Sequence, residues 1–330
     1  MVRALPRRGR LVARAARARR ATHAPERHVN TPCAWPGGAR CAVAITVDFN
    51  DIHGIQTREP RIVGREKSLS VWRYGATRGV DRLLAAFDEF SVPTSWFVPG
   101  RVAQTHGGAV RAIAAAGHEL GVSGFRCEDF DALPLAAQMD ACRAGRAALA
   151  DATGHCAEGF RSFTGNWADG FADFLVAEGF TWSSSWRGDD LPYLHPRAGA
   201  GATDLRLVEL PLHYELEDEP YFEFNLSPPV PAGQPRIAAY RDVLDNWRRD
   251  VDGFRRFGLC CVLRLHPEII GTAGRIDLLR ALLAHLRDAG DVWFATGRDV
   301  ARWWREQAHD NEPNHPVDVF ARCVADASAR

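Results

Sequence analysis

The sequence predicts an α/β protein, a distorted (β/α) barrel of seven or eight strands that occupies residues 33–308 as one domain. Three observations carry this. Short apolar runs alternate with helical-period segments from about residue 40 onward, without a domain break. The units number seven or eight, more than an open sheet usually needs. Finally, Asp48, Ser123, Arg161, His213 and His266 each follow the end of an apolar run. In a barrel those positions converge on one face, where active sites are built.

The elements follow in order. "CAVAITVD" (41–48) reads as a buried strand, and Val80, Leu83, Leu84 and Phe87 then recur at helical spacing. "VPTSWFV" is a second strand with a helical pattern running to Ala116, and "HELGV" is a short third strand. Residues 133–150 are helical, "EGF" is a brief extended segment, and 168–178 are helical before "FTWSS". "LRLVELPL" (205–212) is another strand, and Val243, Trp247, Val251 and Phe254 form a helical stripe. "LCCVLRLH", "RIDLLRALLAHLRDAG" and "VWFAT" read as strand, helix and strand, with a last helix from Asp299.

Composition narrows the class. A hydrophobic fraction of 46% and a charged fraction of 25% suit a globular chain, and no apolar run is long enough for a membrane span. Net charge is zero, but residues 1–30 hold nine arginines against the single acid Glu26, so the remainder is acidic. Such a tail suits an anionic partner or a transit peptide; the plainer reading, which we adopt, is a disordered extension over residues 1–32. Residues 309–330 are expected to be a C-terminal tail. The tail at the start lacks the apolar core of a secretory signal, so a cytoplasmic location is expected. A small-molecule substrate and a homo-oligomer are expected, with neither membrane nor nucleic acid as partner. None of the eight cysteines forms a C-x-x-C pair, which argues against a zinc ribbon or a redox motif.

Several motifs, in order, resemble the polysaccharide deacetylase superfamily. They are "AITVDFND", "TSWFVPG", "AGHELGVSGF", "GFRSFTG", "LVELPLHYELEDEPYF" and "LRLHPEIIG" through "VWFATG". The segment "GREKSLSVWRYGATRGVDRLL" and the chain's ending are similar to its allantoinase-like, cyclic-amide hydrolase branch. The resemblance covers roughly residues 40–305. It implies amide hydrolysis at a metal-bound water, with Asp48 matching the base, Arg161 the arginine that orients it and His266 the acid. Asn50 stands where this branch often has a metal carboxylate, and Ser123 and Cys127 stand where two metal histidines would be. Phe163 replaces the usual proline.

That substitution pattern directs the chemical expectation. Asn50 and Ser123 are poor zinc ligands, and Cys127 alone does not hold the ion. No cofactor is therefore expected. A rebuilt zinc site from Asp51, His53 and Cys127 is the alternative, although Asp51 and His53 read more plainly as loop residues and Cys127 as a packed thiol. Partial burial at the strand end is expected to raise Asp48 toward a base's range, opposed by Arg161, while His266 suits protonation of a leaving nitrogen. Ser123 is a candidate oxyanion donor. Trp167 is a candidate pocket wall, although tryptophans are more often core. His213, Glu215 and Tyr221, in or beside the acidic–aromatic segment, are candidate substrate contacts; a solvated loop with an aromatic anchor is the equal alternative. The expected function is a metal-independent enzyme acting on a small amide-like or cyclic substrate by hydrolysis or another proton-transfer reaction. A catalytically silent barrel serving as a binding or assembly subunit, and a metal hydrolase built on Cys127, are the alternatives.

Overall fold

The structure is a computed structural model and describes residues 33–196, 205–223 and 237–328. The basic segment 1–32 lies outside the described residues. In chain order the elements are β1 (Cys41–Asp48), α1 (Asp51–Arg58), α2 (Glu66–Tyr74), α3 (Val80–Phe90), β2 (Thr94–Val98), α4 (Gly100–Thr105) and α5 (Gly107–Ala115). They continue with β3 (Glu119–Val122), α6 (Leu135–Thr153), β4 (Gly159–Phe160), α7 (Phe171–Ala177), β5 (Trp182–Ser183), β6 (Tyr193–Leu194) and β7 (Val208–Glu209). The remainder is α8 (Glu219–Phe222), α9 (Tyr240–Phe257), β8 (Cys260–Leu265), α10 (Arg275–Ala289), β9 (Val292–Phe294), α11 (Gly297–Glu306) and α12 (Pro316–Ser328).

The strands form one sheet in the order β6-β7-β5-β4-β3-β2-β1-β8, with β9 also paired to β1. Every pairing is parallel except β6–β7. This is the expected barrel, distorted at one seam. There the chain after β7 meets β8 through a single parallel bridge, Glu217 to Arg264, and Asp218 N–H donates to the Arg264 carbonyl at 3.2 Å.

Strand parity divides the interior from the helix layer, because successive side chains point to opposite faces. Val43, Ile45 and Val47 of β1 and Cys261, Leu263 and Leu265 of β8 pack outward against the helices. Ala42, Ala44, Cys260 and Val262 point inward with Phe97, Trp182, Val208 and Leu210. The same parity carries Thr46 and Asp48, Arg264 and His266, and Gly159 and Arg161 to the inner face. Trp182 fills the lower interior, and its ring needs glycines beside it: a Cβ at Gly159 would meet it at 2.5 Å and one at Gly297 at 2.1 Å. The upper interior is left to polar residues.

Several elements differ from expectation. Residues 51–58 and 66–74 are helical, so Asp51 and His53 lie on α1 rather than in a loop. The strand expected over 205–212 is confined to two residues, and β6 was not foreseen. The C-terminal tail contains α12, tied down by His315, whose Nε2 lies 2.9 Å from Asp189 Oδ2. Among the described residues no helix is long and apolar enough to cross a membrane.

The turn that carries His266 is held by close backbone approach. A Cβ at Gly79 would lie 2.1 Å from the Pro267 carbonyl oxygen, and one at Gly271 would lie 2.4 Å from the same atom. We predict that Gly79→Ala lowers stability by about 1–3 kcal/mol through overpacking. Gly253→Ala, in α9 with open space around its Cβ, serves as the control and should stabilise slightly. Denaturant unfolding of both variants checks this.

Candidate active site

Asp48, at the end of β1, sits at the centre of the upper interior with 2% exposure. Arg161, following β4, donates to Asp48 Oδ1 at 2.7 Å and to the Thr46 hydroxyl at 3.0 Å. The rest of its guanidinium is held by the Ser184 carbonyl and hydroxyl, over the face of Phe97. Arg264, on β8, takes the other carboxylate oxygen, with its Nε 2.8 Å from Asp48 Oδ2. Arg264 also donates to Glu217 at 3.1 Å, and Glu217 accepts from Arg187 at 2.6 Å. A chain of alternating charges thus runs from Arg161 to the pocket rim.

His266 completes the group. Its backbone N–H and Nδ1 bond the two oxygens of Asp218 at 2.8 and 2.7 Å, which fixes the ring. Nε2 then points inward, 3.9 Å from Asp48 Oδ2, with no hydrogen-bond partner.

The two titrating groups are driven apart. Burial would raise Asp48, but Arg161 and Arg264 outweigh it and hold the carboxyl well below the usual range. Burial would lower His266, but Asp218 outweighs it and raises the imidazole above its ordinary value. The expectation that burial would lift Asp48 toward a base's range is therefore corrected: with two guanidiniums on its oxygens, the ionised carboxylate is favoured.

Asp48, Arg161 and His266 come together as expected, and Asp51 lines a cavity with His266; the candidate substrate contacts do not line that cavity. Ser123 is buried at the end of β3 and lines neither cavity described below. Trp167 donates to the Ser162 hydroxyl and packs among Phe160, Phe171, Trp186 and His195. Tyr221 packs against Trp247 and donates to the Glu215 carbonyl. His213 pairs with Asp190, and with Glu215 it lines a depression that shares Arg187, Leu212 and Tyr214 with the outer cavity described below. The sequence marks Glu217 and Asp218 only as members of the acidic–aromatic segment and gives Arg264 and Glu268 no assigned role. Arg264 had a readable signal, a lone charge inside the apolar run "CCVLRL".

Two cavities meet at this centre. The outer one, of about 570 Å³, is lined by Arg58, Arg161, Arg187, Arg264, Tyr214 and Glu217 among others. The inner one is a chamber of about 10 Å³ bounded by Asn50, Asp51, Trp72, Glu223, His266 and Glu268. Arg58, Phe163 and Glu219 line both. Phe163, in place of the proline, packs against Gly54 and under the Arg58 guanidinium.

The donor set does not fit a catalytic zinc. Cys127, buried with φ of 60°, directs its Sγ to Asn50 Oδ1 at 3.7 Å, and burial pushes its thiol well up, so it stays protonated. Asn50 is thereby used as an acceptor, and Ser123 contributes only a neutral oxygen. The alternative trio is not assembled either, since Asp51 Oδ2 pairs with His106 at 3.0 Å. Among the described residues no three His, Cys, Asp or Glu side chains are disposed to hold a metal ion.

Comparisons with known proteins agree with the fold. The polysaccharide deacetylase family profile matches residues 69–182. A structure from Mycobacterium smegmatis assigned to the polysaccharide deacetylases is 30% identical, covers 86% of this chain and 98% of its own, and superposes with a TM-score of 0.78. The peptidoglycan deacetylase of Helicobacter pylori is 22% identical over 244 residues, which is 68% of this chain and 82% of that protein. The fold is shared with PuuE allantoinase, at a TM-score of 0.71 and 23% identity over 84% of this chain and 94% of that one. The chain belongs to the polysaccharide deacetylase superfamily.

Two predictions follow from the charges. Asp48→Asn leaves two buried guanidiniums without their shared anion and should cost about 3–5 kcal/mol in urea unfolding. Glu268 behaves oppositely, because burial, with Oε2 unpartnered, outweighs the nearby His266 charge and raises its carboxyl from 4.5 to about 8. The unfolded chain releases this proton first, so the stability linked to it is present below about pH 4.5 and lost as pH rises through about 8. Glu268→Gln removes that loss. Its melting temperature should exceed the wild type's by a margin that grows from pH 5 to pH 8 by about these limits.

Proposed function

We propose that the protein is a metal-independent hydrolase of C–N bonds, acting on a small amide or cyclic amide with His266 as the general acid. The observation that carries this reading is the fixed imidazole: Nδ1 is tied to Asp218 at 2.7 Å while Nε2 is left free, 3.9 Å from the clamped Asp48 carboxylate. A protonated imidazole aimed into the chamber serves protonation of a leaving nitrogen. Asp48 holds Arg161 and Arg264 in place and balances the charge beside His266.

Three further features support the reading. The outer cavity of about 570 Å³ has the size of a single small-molecule site. Its arginines offer donors to a developing oxyanion. The residues at the family's ligand positions do not fit zinc, and strained cyclic amides are the substrates for which Lewis-acid help is least needed. The relative from Helicobacter pylori is a peptidoglycan deacetylase, so an N-acetyl sugar is the natural competitor as substrate.

A second reading, a catalytically silent barrel, rests on one observation: His266 opens onto a chamber of only about 10 Å³. A single assay series separates them. Protein purified without chelator and without added metal is tested on succinimide, hydantoin and chitooligosaccharides, with metal content measured in parallel. We expect turnover of a cyclic substrate that survives chelation, substoichiometric metal, and a loss of about 10²-fold or more in His266→Gln. Stoichiometric zinc that activity requires would overturn metal independence. Inertness toward every substrate would leave the silent barrel.

A further inference from the structure

Four buried polar atoms without a hydrogen-bond partner converge on the inner chamber: Asp51 Oδ1, Glu223 Oε2, Glu268 Oε2 and His266 Nε2. Such atoms are costly unless something occupies the space between them. The chamber's volume, about 10 Å³, is that of one water-sized group, and a water binds where it finds two to four polar partners.

A metal-free hydrolase needs a base for its water, and Asp48 does not serve. Both its oxygens accept from guanidiniums, and it lines neither cavity. Of the four carboxyls that line the chamber, Glu219 pairs with the Arg58 guanidinium, Asp51 has its second oxygen bound by His106, and Glu223 Oε2 lies 3.6 Å from Arg58. Glu268 has no guanidinium partner, and the cation that acts on it is His266 itself. It lies two residues from His266 on the same tightly packed turn, where backbone approach at Gly79 and Gly271 fixes Pro267 between them.

Building on the proposed hydrolase, we propose that Glu268 is its general base, holding and deprotonating a water in the inner chamber. The step balances without any further reactant. Glu268 takes one proton from water, the hydroxide oxygen bonds to the amide carbon, and the C–N bond breaks as His266 gives its proton to the leaving nitrogen. The amide approaches from the outer cavity across Arg58, Phe163 and Glu219, which line both spaces. Burial raises Glu268 to about 8, into the range where a carboxylate is strong enough to accept such a proton.

The test uses the best substrate of the panel above with the full-length chain. Glu268→Gln should lower kcat by about 10²–10⁴-fold with KM nearly unchanged, while the protein melts no lower than the wild type. Glu268→Ala should recover at least about tenfold of its lost rate with added formate, which replaces the deleted carboxylate. Glu223→Gln should slow the reaction less than Glu268→Gln. If His266→Gln is inactive but Glu268→Gln stays within a few fold of wild type, the base assignment falls and the hydrolase stands. Absence of formate rescue, or a larger loss in Glu223→Gln, also overturns the assignment. A wild-type protein inert toward the whole panel overturns both.

Discussion

The Asp48 carboxylate, gripped by two buried guanidiniums, is the interaction around which the upper half of this barrel is organised. Arg161 comes from the end of β4 and Arg264 from β8, so one carboxylate on β1 ties together strands far apart in the sequence. Arg264 extends the link to Glu217 at the seam, where a single β-bridge joins the chain after β7 to β8. Removing an anion from such a cluster is destabilising because the remaining charges stay buried. The cluster therefore acts as a structural closure of the barrel and as the electrostatic floor of the site.

That floor determines what the neighbouring groups do. Two cations on one anion favour the ionised form of Asp48, while the Asp218 pair favours the charged form of His266. In the inner chamber burial outweighs the nearby cations, Arg58 and His266, and raises Glu223 to about 7 and Glu268 to about 8. Buried carboxyls thus behave in opposite ways according to whether guanidiniums hold both oxygens, as at Asp48, or leave an oxygen unpartnered.

The superfamily's metal positions have become part of this arrangement. Cys127 and Asn50 satisfy one another, Phe163 packs where the proline would stand, and Asp51 turns to His106. Below them the interior is apolar and filled by Trp182, whose indole N–H reaches Glu119 at 3.0 Å. Polar chemistry is thereby confined to the C-terminal ends of the strands, as in other barrels with parallel strands.

The sequence by itself determined the alternation of strands and helices and the strand ends on which Asp48, Arg161 and His266 sit. These are local properties: apolar period, strand parity and motif order are written along the chain. It did not determine the partners of those residues. Arg264 showed only as a charge in an apolar strand, and Glu268 as the third residue of "HPE". Trp167 and Tyr221, reasonable pocket walls by type, proved to be packing residues, because an aromatic side chain does not say which face it covers. Whether Asp48 is a base or an anchor depends on how many guanidiniums reach it. That number is set by residues 113 and 216 positions away from it in sequence, which only the curled sheet brings together.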